Sequence, residues 1–440
     1  MHHVPLLANI ELICAEWIRA ILNRNRLVLK TLRLLLVFQA VVGSAVCFGG
    51  DWPWWRGPAM NGTADAEQSL PTKWSDTENV VWKTAIPGRG HGSPTVVGDF
   101  IYLATAERDR EARAVVCINR NSGEIVWSRD VHVGNLTPFK NKKGSDASST
   151  IACDGERLFV NFLHDDAMFT SALSMHGEVL WQTRISSYIV HQAFGSSPAI
   201  FGPLVIVTAD NKSGGAISGL NRTTGEIVWK QDRPTFPNYA SPIVLDVAGK
   251  AQCLVTGCEL VTSLDPLTGN KNWETEGATT ECVTSTLVCG DLMFTSGGYP
   301  KNHVSAVRCD GSKEIVWENG TRVYVPSMLV SNGYLYGVAD AGVAVCWRCS
   351  DGEELWKGRL GGTFSASPVL VGDQILATNE EGTSFIFKAN PKEFELVAKN
   401  QLGEECFATP TVCNSHIYMR VATVKDEQRQ EYVVCVGEGK

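Results

Sequence analysis

The chain has 440 residues and is acidic, with 39 Lys+Arg against 47 Asp+Glu and a net charge of −8. Its composition is that of an ordinary globular protein, and the acidic balance argues against a nucleic-acid partner, which needs a basic face. The length exceeds one typical domain, leaving two or three domains or one repeat array.

Residues 24–33 carry Arg24, Arg26, Lys30 and Arg33 and no acid. An apolar stretch broken only by Gln39 follows, then Gly43, Ser44 and Ala45. Basic region, short apolar core and small-residue exit read as a secretory signal within 1–49. Cleavage is expected between Ala45 and Gly50, with an uncleaved anchor as the alternative. Val46 stands where a lipobox needs a small residue before Cys47, so lipidation is not expected. Beyond residue 50 no apolar run approaches the roughly 18 residues of a membrane span. The exported chain is therefore expected in the periplasm or cell envelope without a span. Residues 50–79 contain Trp52-Pro-Trp-Trp55-Arg56 and are expected to clasp the outside of the body.

From residue 80 the chain repeats. Ser93-Pro94, Ser149-Thr150, Ser197-Pro198, Ser241-Pro242, Ser285-Thr286, Ser327-Met328, Ser367-Pro368 and Thr409-Pro410 each open an apolar run. Their spacings are 56, 48, 44, 44, 42, 40 and 42. Turns such as Gly98-Asp99, Asn332-Gly333 and Gly372-Asp373 follow, then a second apolar run, which reads as strand, tight turn, strand. Most units end on a polar residue, a glycine turn and a β-rich run with tryptophan, as in Asn221-Arg-Thr-Thr-Gly225-Glu-Ile-Val-Trp229. Trp82, Trp127, Trp181, Trp229, Trp273, Trp317 and Trp356 all fall at this point of the repeat. The eighth unit lacks its last strand, and 79–85 precede the first unit as a spare one. Four short strands per unit, a period of 40–50 and a spare strand at the front predict an all-β, eight-bladed propeller over 80–440, its ring closed by the N-terminal strand. The tryptophans are expected to dock between blades.

These units resemble the tryptophan-docking repeat of the quinoprotein-like, PQQ-like repeat propellers, whose motif reads Ala-x-Asp-x-x-Thr-Gly-x-x-x-Trp. Asp265, Thr268, Gly269 and Trp273 keep four of its positions, and Asn119, Ser122, Gly123 and Trp127 match it in part. The start at Trp52–Pro58 looks like that of secreted bacterial proteins similar to the BamB-type outer-membrane assembly scaffolds. The resemblance implies two functions of different class. One is a dehydrogenase holding pyrroloquinoline quinone and Ca²⁺ or a lanthanide on the ring axis. The enzymes it resembles carry adjacent cysteines, absent here, and no acid–Asn run concentrates at the blade entrances. The expectation is therefore no catalytic residue, no metal and no cofactor. The other is an envelope recognition scaffold for a protein or small ligand, monomeric, with no nucleic-acid partner.

Residues just ahead of each innermost strand should line one mouth of the ring. The candidates for binding are Arg89, His91, Asp146, His191, Tyr239, Glu281, Tyr324 and Phe364, with Phe194, Asn238, Glu405 and Phe407 in the same set. The long gap at 132–146 is the expected functional insertion. The charged runs 107–113, 140–143 and 425–431 read as solvated loops. Several of the 14 cysteines, Cys117, Cys289 and Cys435 among them, sit inside strand-like runs, as small buried hydrophobes. Cys346-Trp-Arg-Cys349 lacks a second CxxC or a His pair, so it is not read as a metal or redox site.

Overall fold

A computed structural model describes residues 50–438 apart from 142 and 427. The signal expected within 1–49 lies outside the described residues. The described chain forms eight four-stranded antiparallel sheets. Seven are built from consecutive strands, the first being Thr95–Val97, Phe100–Glu107, Ala112–Asn119 and Ile125–Val133. The eighth joins Thr411–Cys413, His416–Lys425 and Gln428–Val436 to Val80–Ile86, which pairs with the last of them. No described helix is long and apolar enough to cross a membrane.

The two sequence signatures have physical causes. In the first, the backbone N–H of one blade donates to the Ser or Thr hydroxyl of the next: Ser93 to Thr150 (3.0 Å), Thr150 to Ser197 (2.9 Å) and Ser197 to Ser241 (2.9 Å). The relay continues from Ser285 to Ser327, Ser367 and Thr409. The buried amides of Ser93, Thr150, Ser197, Ser285, Ser327 and Ser367 thus find an acceptor across the blade seam. The member from the second blade is Thr150, one residue beyond the Ser149 that the sequence spacing selects.

In the second, Asn221 Oδ1 accepts the N–H groups of Thr223 and Thr224, and Asp265 Oδ1 those of Leu267 and Thr268, fixing the turn before the outer strand. The closing glycine has positive φ, 76° at Gly225 and 70° at Gly269. The preceding blade's indole lies against it. A Cβ on Gly225 would sit 2.6 Å from Trp181, and one on Gly269 2.5 Å from Trp229. The indole N–H groups of Trp82, Trp181, Trp229, Trp317 and Trp356 donate to carbonyls of Arg120, Arg222, Pro266, Cys349 and Asn390 in the next blade. Trp273 differs, donating to Gln252 Oε1 in its own blade (3.0 Å).

Every outer strand is bulged one residue before the tryptophan position. Trp229 pairs with Gly219 while Ile227 pairs with Leu220, which leaves Val228 extra. The same shift recurs in the other seven blades. A bulge twists an exposed edge away from further strand pairing. Strand addition along these edges is thus discouraged.

Of the segment expected to clasp the outside of the ring, the part from Trp52 to Ala64 runs instead along its axis, while Trp74 N–H donates to Asn400 Oδ1 on the outer strand Leu396–Gln401 (3.0 Å). Trp52 bridges Val96 of blade 1, Cys153 N–H donates to the Pro53 carbonyl (2.8 Å), and Ala64 N–H donates to Leu370 (2.8 Å). These partners are innermost strands. Arg56 is 3% exposed, and its guanidinium donates to the carbonyls of Pro368 (3.0 Å), Met328 (2.5 Å) and Asn61 (2.9 Å). The inner edges of a propeller present unpaired carbonyls to the axis, and a planar five-donor cation satisfies several at once. Trp residues flanking an arginine look like a surface strip in the sequence; the bulk that suits a strip also suits a plug.

Two charged runs are likewise not solvated throughout. Arg113 is fully buried and donates to the Gly134 carbonyl (2.9 Å). Glu431 is 1% exposed and pairs with Arg420 (2.6 Å), and its carboxylate accepts Gly90 N–H (3.1 Å). The described cysteines are all free, and burial pushes Cys346 and Cys253 up to about 12.

Candidate functional site

The axial segment enters from the face that carries the turns between first and second strands, where Gly98 N–H donates to Asp51 Oδ1 (3.0 Å) and Ser415 N–H to Gln68 Oε1 (3.2 Å). It reaches inward as far as Trp55, whose indole N–H donates to the Ser285 hydroxyl (2.7 Å). Above Trp55 lies a cavity of about 530 Å³. Its walls come from two kinds of segment at the other face: the connectors entering each innermost strand and the turns between second and third strands. The connectors supply His91, Phe194, Tyr239, Tyr324, Phe364 and Phe407; the turns supply Asp340 and Glu380. The site is therefore a cup whose depth ends on Trp55.

Of the eight residues expected at the mouth, the structure brings His91, Tyr239, Tyr324 and Phe364 into the cup. The other four stand behind or beside its wall. Glu281 is 4% exposed and accepts the Tyr324 hydroxyl (2.9 Å), with His191 Nε2 3.1 Å from its other oxygen. Asp146 pairs with Arg108 (2.9 Å). The Arg89 guanidinium lies 6.0 Å from the centre of the Phe407 ring. Glu281 thus orients Tyr324 rather than meeting a ligand itself.

His91 stacks on Phe407, ring centres 4.6 Å apart, and its Nε2 has no hydrogen-bond partner among the described residues. Burial, then the charges of Arg89, Arg420 and Arg429, holds its pKa well below the ordinary 6.5. His132 and His303, buried elsewhere, are pushed down to about 3 and about 4, again chiefly by burial. In each case the unfolded imidazole takes a proton that the folded one refuses. The folded protein is then fully stable above pH 6.5 and loses stability below it, by up to about 1.4 kcal/mol per pH unit for each histidine. Urea denaturation at pH 7.5, 6 and 5 should show this fall, and His132→Asn should reduce its slope.

Asn141 and Lys143 of the cup lie in the 132–146 insertion expected to be functional, whereas Trp55, Gln192, Arg322, Asp340 and Glu380 were not picked from the sequence. Lys143, in the 132–146 insertion after blade 1, crosses the mouth to Glu380 of blade 7 (2.7 Å), which also accepts the Ser365 hydroxyl (2.6 Å). A repeat signal existed for the acids. Asp340 and Glu380 each stand two residues before a glycine, at equivalent points of neighbouring units. The Lys143–Glu380 pair is partly exposed and should contribute under about 1 kcal/mol to global stability. Glu380→Gln should nevertheless release the insertion, read as faster tryptic cleavage after Lys140 and Lys143 with an unchanged denaturation midpoint.

A quinone with Ca²⁺ or a lanthanide requires six or more oxygen ligands converging on the metal. The carboxylates lining the cup are Asp340 and Glu380. Asp340 accepts Tyr324 N–H (2.8 Å), and Glu380 is taken by Lys143 and Ser365. Among the described residues no group of three or more His, Cys, Asp or Glu side chains is arranged to hold a metal. The donor set does not fit such an ion.

The solved structure of BamB from Moraxella catarrhalis is similar to this chain with a TM-score of 0.58 at 16% identity, covering 82% of this chain and 98% of that one. Quinohemoprotein alcohol dehydrogenase from Comamonas testosteroni is similar with a TM-score of 0.66 at 12% identity, covering 91% and 83%. At such identities both likenesses speak to the fold alone. The outer membrane protein assembly factor BamB of Burkholderia pseudomallei is 29% identical over 232 residues, which are 49% of this chain and 52% of that protein. The chain thus spans about half the length of the curated relative it matches. The sequence model of the family described as outer membrane protein assembly factor BamB matches residues 71–137, 110–357 and 300–389. Eight blades, the glycine–tryptophan seams and this match together place the chain in the BamB-like family of PQQ-like repeat propellers.

Proposed function

We propose that this chain is a non-catalytic propeller of the cell envelope that recognises a protein or small ligand through the axial cup, as a monomeric, BamB-like scaffold. The observation that carries the reading is the cup itself: aromatic walls at one end of the axis, a Trp55 base, and carboxylates already committed to Lys143, Ser365 and Tyr324 N–H. Concave, mostly apolar sites with a few placed polar groups are where ligands and partner side chains bind. The bulged outer strands point the same way. The basic and apolar N-terminal pattern supports export, and the family membership supports an envelope role.

The second reading is a quinone- or sugar-linked oxidoreductase with a degenerate site. It is favoured by the likeness in fold to the alcohol dehydrogenase and disfavoured by the missing adjacent cysteines and the donor set. Photo-crosslinking in cells producing the full chain tests the recognition reading. A crosslinking residue at Lys143, on the rim, should give adducts with an envelope component. The same residue at Asp65, on the opposite face, should not. Equal adducts from both positions, or none from Lys143, would remove the reading.

A further inference from the structure

We propose that the axial cup takes a short neutral saccharide. The inference rests on the recognition reading and names the ligand class for that same cup.

Trp55 lies at the depth of the cup, so a ligand enters and leaves by the mouth at the other face. The walls mix rings with hydroxyls: Phe194, Tyr239 and Phe407 stand among Ser197, Ser241 and Ser365. A saccharide offers both complements, a face of C–H groups for the aromatic rings and a rim of hydroxyls for the polar atoms.

Charge narrows the class further. The cup's bases are Lys143 and Arg322, and its acids are Asp340 and Glu380. They balance, and each is engaged. Lys143 pairs with Glu380, Arg322 donates to the Gly298 carbonyl (2.9 Å), and Asp340 accepts Tyr324 N–H. An ionic ligand would have to displace one of these contacts, whereas a neutral one need not.

His91 gives the remaining constraint. It lines the cup with Nε2 unpartnered, and burial, then the three arginines around it, disfavours a charge on its ring. A neutral imidazole nitrogen can donate to or accept from a hydroxyl, according to its tautomer. A purely apolar guest, such as an aromatic side chain of a partner protein, would leave that nitrogen unpaired, at about 1–3 kcal/mol for a buried group. The cavity volume falls inside the roughly 300–1,000 Å³ of small-molecule sites.

The test is a screen of the full chain on an array of neutral glycans. Maltotriose, cellotriose and triacetylchitotriose are then titrated in solution by calorimetry and tryptophan fluorescence. At least one should bind with a dissociation constant of about 1 mM or tighter, and Phe407→Ala and His91→Gln should each weaken it about tenfold. Urea denaturation of both variants confirms that they fold. No glycan bound, or binding indifferent to both substitutions in folded protein, overturns the proposal. Adducts from Lys143 without saccharide binding would sink the saccharide and leave the recognition reading standing. The absence of both would sink the two together.

Discussion

Trp229→Ala is expected to lower the unfolding free energy by about 3–5 kcal/mol, the usual range for emptying a buried aromatic site. Trp229 is 8% exposed and spans a seam: it packs on Gly269 of the next blade, and its N–H holds the Pro266 carbonyl (3.2 Å). The space cannot refill from the far side, because that side is a glycine backbone held by its turn. Gly269→Ala should also destabilise, since the new Cβ meets the indole and φ is 70°. In the double variant the clash disappears with the indole. The two losses should then sum to less than the separate values, a coupling that denaturant titration of all four proteins would measure.

Arg56→Met should cost about 3 kcal/mol, with a larger effect on the axial segment than on the ring. Burial alone lowers its pKa to about 9, so at neutral pH the buried group is still a cation. Its guanidinium is met by three backbone carbonyls. Removing the guanidinium relieves the desolvated charge but strands acceptors of blades 6 and 7, each worth about 1–3 kcal/mol when left buried without a donor. The stranded acceptors outweigh the relief, because several are lost at once. Arg56→Lys should retain only part of the stability, since a single ammonium lacks the fork that reaches separate carbonyls. Hydrogen exchange at Trp52, Val96, Ala64 and Leu370 should accelerate in the Arg56 variants. An unchanged midpoint and unchanged exchange would show that the axial segment is not held by this residue.

The ring was legible in the sequence because its determinants are local and repeated. A polar residue caps a turn, a glycine permits positive φ, and a tryptophan four residues later needs a flat partner. Each blade restates that requirement, so Asn221–Trp229 and Asp265–Trp273 report it independently. What was not legible depends on contacts between distant segments. Nothing within Trp52–Arg56 says whether it lies outside the ring or on the axis; that is decided by carbonyls of Met328 and Pro368, about three hundred residues away in sequence. The same holds for the mouth. Position in the repeat put His91, Tyr239, Tyr324 and Phe364 near the axis, but whether Glu281 faces the cavity or backs Tyr324 turns on side-chain direction. Thr150 was missed by one residue because Ser149 fits the pattern as well, and only the hydrogen bond from Ser93 separates them.

The most direct measurement is a thermal-shift titration of the purified chain with pyrroloquinoline quinone, alone and with Ca²⁺ or La³⁺. A ligand at 100 times its dissociation constant stabilises a fold by about 2.7 kcal/mol, which this method resolves easily. The cup's carboxylates are already occupied by protein groups, so no shift is expected with either ion. A shift that requires quinone and metal together would contradict the recognition reading and make the axial cup a catalytic site.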